Sequence, residues 1–455
     1  LHECFITMTH NQLKFGLILA VSLHAFDELV LTIALPTIVH DLGGSDWYGI
    51  SLASYILASL ISVVWAGTSI DQRGPVRIFL IGYALFAIGL VLAALSTTMM
   101  EFVMARAMQG LGGGISWTIA YSITNIVIPS HQRPRMIAWL DSAWLIPSLL
   151  APTAGGYIVD YLDWHWVFMG QLPFLLIAAA ILYPHLKPLA KNQPATTKST
   201  SVNDLWQAIR IAAGAGLLIT IMAKPIDWLW LLAIPVSLMI AWRPLVTVMP
   251  RGFMLIRPGL AASVMLLFLI EVAFFLADLF LPLMMIEVRQ LSSSVTGLAF
   301  TCCAITWVGA SFFQAWLSSR LTVHQSLMAG GVFSLIGIAL LASLLYPQVP
   351  FWMIYVAWGV EGFGMGLAFN TAFSATMDYT KKGEEGATST ATGIAGSLSM
   401  GLAAGIGGAI VNHGRFTGSG LSDALGMIWL LAGIISLISL WVIYSRFKTP
   451  PKPIH

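Results

Sequence analysis

Gln109-Gly110-Leu111-Gly112-Gly113-Gly114 returns 252 residues later as Glu361-Gly362-Phe363-Gly364-Met365-Gly366. The correspondence runs on downstream. Ala120, Ser122 and Thr124 meet Ala372, Ser374 and Thr376, while Trp117 and Tyr121 meet Phe369 and Phe373. Glycines at alternate positions weaken a helix, so a helix that keeps them needs a reason. In lipid the ordinary reason is close approach of a neighbouring helix, and that accounts for either copy taken alone. The same pattern in both halves points to duplication, two bundles built on one plan.

Composition says where those bundles reside. The chain is 58% hydrophobic and 9% charged, with a mean hydropathy of +0.84. Soluble domains carry about a quarter charged residues, so a water-soluble fold is excluded. A spanning helix needs about 20 apolar residues. Twelve stretches meet that requirement, roughly 14–39, 47–69, 77–97, 101–127, 136–158, 166–184, 258–286, 294–318, 324–346, 350–376, 387–411 and 424–446. Two weaker ones, near 205–223 and 228–248, lie between the sixth and the seventh. The first of these carries Arg210, which also suits a helix lying in the interface, so twelve spans plus a surface hairpin is the alternative. The reading adopted is fourteen spans.

The fold expected is therefore an all-α polytopic membrane protein: two pseudo-symmetric six-helix bundles with a two-helix insert between them. Its divisions are an N-terminal tail (1–13), a first bundle (14–190), a linker with two extra membrane helices (191–257), a second bundle (258–446) and a C-terminal tail (447–455). Placing both termini inside puts seventeen of the 22 basic residues in inner loops and three in outer loops, with Arg106 and Arg210 inside spans. That asymmetry orients the chain with cytoplasmic termini in the inner (plasma) membrane. Met8 is a plausible native start. Cys4, Cys302 and Cys303 suggest neither a disulfide framework nor a metal site. Net charge is +2 with no basic patch, so nucleic acid is not an expected partner.

After the second span comes Gly67-Thr68-Ser69-Ile70-Asp71-Gln72-Arg73-Gly74-Pro75-Val76-Arg77. This run is similar to the glycine-x-x-x-aspartate-x-arginine-glycine-x-x-arginine signature of the major facilitator superfamily. Arg106, Gln109, Gly110 and Gly112 resemble that superfamily's fourth-helix pattern. Asp27 with Ala34-Leu35-Pro36-Thr37-Ile38, and Trp164-His165-Trp166-Val167-Phe168 with Pro173, look like the fourteen-span drug:proton antiporter branch. The resemblance implies export coupled to protons by alternating access. It makes Gly67, Asp71, Arg73, Gly74 and Arg77 a cytoplasmic gating turn whose charges lock helix ends in one conformation. The fifth helix departs from the branch, with Ala151-Pro152 where a glycine-proline pair is usual.

Six acids fall within spans: Asp27, Glu28, Asp141, Glu271, Asp278 and Glu361. Each costs on the order of 3 kcal/mol at mid-bilayer, so bare lipid contact is excluded and an aqueous cavity is expected. Asp27, thirteen residues beyond Lys14, lies near mid-membrane and on the branch's matching acid. It leads the proton-coupling candidates, followed by Glu361, Glu28 and His24. One helix face holds His24 with either neighbouring acid. The expected cavity wall comprises Arg106, Gln109, Trp117, Tyr121, Asp141, Glu271, Asp278 and Asn370. Arg106 either pairs with one of the acids or sits near the outer interface. Asparagine at position 27 is expected to leave stability unchanged or slightly raised.

No hydrolase, kinase or redox motif occurs, and no phosphate loop, so no cofactor is expected and the proton-motive force is the energy source. The partners expected are a small lipophilic or cationic molecule, protons and the bilayer, with the chain acting as a monomer. Rival readings are a same-fold transporter of a metabolite, siderophore or lipid, and a membrane enzyme or sensor that no longer transports.

Overall fold

The computed structural model describes residues 2–43, 48–191, 202–222, 228–291, 293–318, 320–381, 383–417 and 420–447. Helices α1 (His2–Leu42), α2 (Tyr48–Arg73), α3 (Pro75–Ala94), α4 (Met99–Val127) and α5 (Arg133–Tyr161) come first. The sixth span is broken into α6 (His165–Met169) and α7 (Leu172–Leu186). Helices α8 (Val202–Met222) and α9 (Trp228–Val248) follow. The seventh strong span is α10 (Leu260–Asp278), extended by α11 (Leu281–Leu283). The last five are α12 (Ser293–Leu317), α13 (Val323–Ser343), α14 (Met353–Asp378), α15 (Glu385–Thr417) and α16 (Leu421–Arg446). Counting α6 with α7 and α10 with α11 gives fourteen long helices, and no strand occurs among the described residues.

Seven of the described helices are long and apolar enough by composition alone to cross a membrane. Others, α4 and α14 among them, fall short because glycines and buried polar residues interrupt them. The chain is a multi-pass membrane protein. At 21 residues each, α8 and α9 reach about 31 Å at 1.5 Å per residue, enough for the hydrocarbon layer. They pack closely, since a Cβ on Gly214 would lie 2.7 Å from the Ser237 carbonyl.

Two compact units divide the chain. One gathers Leu1–Pro129, Trp139–Ala212 and Lys381–Gly393; the other gathers Ser130–Ala138, Ala213–Thr380 and Ile394–His455. In the first unit the glycine run of α4 meets its neighbours at backbone distance. A Cβ on Gly110 would strike the Tyr55 backbone of α2, and one on Gly112 would sit 2.5 Å from Phe86 N of α3. In the second unit a Cβ on Gly362 would strike the Cys303 carbonyl of α12, and one on Gly364 would sit 2.5 Å from Ser334 N of α13. The repeated glycines thus let each central helix touch two neighbours at backbone distance. Gly110→Val should lower the stability of the purified protein by at least about 1–3 kcal/mol through overpacking. A thermal midpoint in detergent equal to wild type would contradict the close approach.

Local signals set the helix ends. Thr98 caps α4, accepting from the Glu101 backbone N–H, while the Glu101 carboxylate reaches back to Thr98 N. The Glu101 carboxylate also accepts from the Thr97 backbone N–H and hydroxyl. Thr322 and Gln325 repeat the arrangement at α13. Between α2 and α3, Gly74 has φ 80° and ψ 160°, a conformation that excludes ordinary L residues, and Pro75 opens the next helix.

Candidate functional site: a buried charge network in the first unit

Asp27 lies on α1 with no solvent exposure. Arg106 of α4, 1% exposed, donates from Nη1 to Asp27 Oδ2 at 2.7 Å and to Gln109 Oε1 at 2.9 Å. Residues 106 and 109 are one turn apart on α4, so both face α1. Gln109 Nε2 donates to Asp27 Oδ1 at 3.3 Å, and Gln171 Nε2 donates to the same oxygen at 3.2 Å. Gln171 stands at the break between α6 and α7, and also donates to the Val167 carbonyl. Arg106 further lies 4.5 Å above the ring of Tyr55, a cation–π contact. A buried ion pair repays its desolvation only when its remaining hydrogen-bonding groups are engaged. Here two amides and one aromatic face supply part of that engagement, while Arg106 Nε has no hydrogen-bond partner among the described residues.

The neighbouring acid has a different partner. His24 Nε2 lies 3.6 Å from Glu28 Oε1, and His24 Nδ1 lies 2.5 Å from Tyr55 Oη. The helix face expected to join His24 to either acid therefore sorts them. Asp27 turns to α4, and Glu28 stays beside the imidazole. Trp117 packs on Tyr121 with 4.5 Å between ring centroids.

The second unit repeats the scaffold with different chemistry. The 252-residue shift overlays Arg106 on Trp358 and Gln109 on Glu361. Where Asp27 meets Arg106 in the first unit, Phe274 stacks on Trp358 here, at 5.5 Å and 11°. Glu361 is fully buried, and its Oε1 accepts from Ser334 Oγ at 2.9 Å. Among the described residues its Oε2 has no hydrogen-bond partner. Glu271 accepts from Ser399 Oγ at 3.4 Å, and Asp278 ends α10, half-buried.

The remaining candidates are dispersed. Asp141 is buried on α5. Asn370 donates to the carbonyls of Pro134 and Ser311, a packing role within the second unit. In the signature turn Gly67 is buried, and a Cβ there would strike Thr390 and the Gly386 carbonyl. Arg73 and Arg77 are exposed. The Asp71 side chain, on which the gating expectation turns, lies outside the described residues. Gln171, Ser334 and Ser399 were missed in the sequence. Gln171 had a signal, being a lone amide in an apolar run just before Pro173. The two serines had none, because serine is common in membrane helices.

Comparison with known proteins gives the family. The sequence model of the Major Facilitator Superfamily matches residues 17–407 and 263–455. The chain is 25% identical over 384 residues to multidrug resistance protein 3 of Bacillus subtilis, covering 80% of this chain and 72% of that one. It is 24% identical over 448 residues to a probable multidrug-efflux transporter of Mycobacterium tuberculosis, covering 95% and 94%. Among solved structures, the human organic anion transporter MFSD10 aligns with a TM-score of 0.71 at 13% identity, covering 95% of this chain and 99% of that one. The proton:xylose symporter XylE aligns with a TM-score of 0.70 at 14% identity, covering 97% and 96%. These two likenesses concern the fold. With fourteen long helices, a duplicated glycine scaffold and a family match along most of its length, the chain belongs to the Major Facilitator Superfamily.

Proposed function

We propose that this protein is a proton-coupled exporter of lipophilic, mainly cationic small molecules, working by alternating access in the inner membrane. The observation that carries the reading is the Asp27–Arg106 pair, sealed with Gln109 and Gln171 among α1, α4 and α7. Protonating Asp27 removes the charge that holds Arg106 and leaves a buried guanidinium seeking a new partner, so one proton changes how α1 and α4 fit together. The relatives named for multidrug resistance and efflux support export over uptake. A sensor without transport would have no use for a mid-membrane ion pair, and transport of a single metabolite is the rival that experiment must separate. The test is a pH gradient imposed across proteoliposomes, acid on the side to which substrate would be carried. Uphill movement of ethidium supports the reading; gradient-driven movement of none of a panel of lipophilic cations would overturn it.

Glu361 is the second proton carrier in this reading. A bare carboxylate buried without a cation costs several kcal/mol, whereas a carboxylic acid hydrogen-bonded to Ser334 does not. Glu361→Gln should retain folding and lower gradient-driven export at least about tenfold, with passive exchange kept. Full gradient-driven export in that variant would remove Glu361 from the coupling scheme.

Orientation follows from the loop charges. In a background without the native cysteines, a cysteine at the exposed Arg77 should label only from the cytoplasm, and one at the exposed Tyr346 only from outside. Labelling of position 77 from outside would invert the topology.

A further inference from the structure

His24 stands in an unusual enclosure. Its ring stacks on Tyr55 at 5.8 Å and 26°, and lies 6.3 Å from both Trp117 and Trp144. These rings come from α2, α4 and α5, and Glu28 of α1 lies 3.6 Å from the imidazole Nε2. A Cβ on Gly113 would intrude between the Tyr55 hydroxyl and His24, so the glycine keeps this contact open. The side chains of His24 and Glu28 are 13% and 29% exposed, so the enclosure has an outlet. A small cavity of about 10 Å³, bordered by Ala20, Tyr83 and Leu175, adjoins His24.

Three aromatic rings and one carboxylate around a positively charged group are what binds an organic cation. In this structure the group they surround is the imidazole. The charges of the neighbourhood lead to the same conclusion. Asp27 and Arg106 cancel, Tyr55 is neutral, and Trp117 and Trp144 bring no charge; Asp141, one turn before Trp144, is buried. Glu28 makes its ion pair with His24, so an imidazolium and a bound cation would compete for the same place beside it.

We propose that Glu28, Tyr55, Trp117 and Trp144 form the subsite for the positive charge of an exported monovalent organic cation, and that protonated His24 is its resident competitor. The inference rests on the export reading and adds the residues that hold the substrate's charge and the group that competes with it. An imidazole can gain and lose a proton, so cation binding is expected to weaken as the solution is made more acidic. The cation enters as His24 loses its proton and swings aside, and it leaves as the imidazole regains one. The exchange is one positive charge for another, with no net change at Glu28.

The test is equilibrium binding of tetraphenylphosphonium to the purified full-length protein in nanodiscs between pH 5.5 and 8. Wild type should bind at pH 8 and weaken at least about tenfold by pH 5.5, as expected for exclusive competition with one proton. His24→Gln, which can still hydrogen-bond Tyr55, should bind at pH 5.5 within about twofold of its pH 8 affinity. Glu28→Gln and Trp144→Leu should each weaken binding at pH 8 at least about tenfold. No binding by folded wild type, an undiminished acid fall in His24→Gln, or full affinity in Glu28→Gln would overturn the proposal. Gradient-driven export of a neutral lipophilic compound is measured in parallel. Its presence with no cation binding refutes the subsite alone, whereas pH-dependent binding with no gradient-driven movement of either this compound or the panel of lipophilic cations refutes the export reading alone.

Discussion

Asp27→Asn should abolish uphill export driven by a pH gradient while leaving downhill exchange measurable. Asparagine keeps an oxygen that can accept from Arg106 and matches the size of aspartate, but it cannot take up or release a proton. The variant is held in one charge state, and the release of Arg106 on protonation no longer alternates with its capture. The structure changes what to expect of its stability. With Arg106 unassigned, neutralising an intramembrane acid reads as harmless or mildly favourable. With Arg106 bonded to Asp27 at 2.7 Å, the substitution instead leaves a buried guanidinium short of its counter-charge. A loss of roughly 1–3 kcal/mol is expected, cushioned by the Gln109 oxygen and the Tyr55 ring. A folded variant that still exchanges ethidium downhill separates loss of coupling from loss of fold. Full uphill export in it would take Asp27 out of the mechanism.

Arg106→Met should be the more damaging change. It strands the Asp27 carboxylate at zero exposure with only the Gln109 and Gln171 amides, and breaking a buried pair from one side costs about 3–5 kcal/mol. Part of that loss is avoided if Asp27 takes up a proton, so the variant should be relatively more stable at acid pH. The double change Asp27→Leu with Arg106→Met removes both charges and should recover most of the stability with no export, since apolar replacements of a buried pair are often neutral or better. Unfolding free energies of Asp27→Leu, Arg106→Met and the double variant, compared with wild type at pH 5.5 and 8, give the coupling energy. Additive losses would mean that the pair contributes nothing as a pair.

The sequence was informative where the physics is periodic or costly. Long apolar stretches, the loop bias of lysine and arginine and the repeated glycines on α4 and α14 carried the fold, because each answers to a constraint that lipid imposes along the chain. Asp27 and Arg106 could each be singled out, since a charge in the membrane needs a reason. Their pairing could not be read, because residues 79 positions apart meet only through the packing of α1 on α4. The contrast between the two units was half visible. Gln109 and Glu361 align in the repeat, but the exchange of an ion pair for the Phe274–Trp358 stack needs the contact itself. His24 read as a proton-coupling candidate. The rings that surround it come from three other helices, and nothing in its local sequence announces them.

Proton release on substrate binding tests the central claim most directly. Ethidium is added to purified protein in weakly buffered detergent near neutral pH, and the bulk pH is followed with an indicator. The account predicts a stoichiometric release from wild type that shrinks in Asp27→Asn to the share that His24 carries, the variant still binding ethidium. Saturable ethidium binding to wild type with no proton released, or a release unchanged in Asp27→Asn, would contradict it.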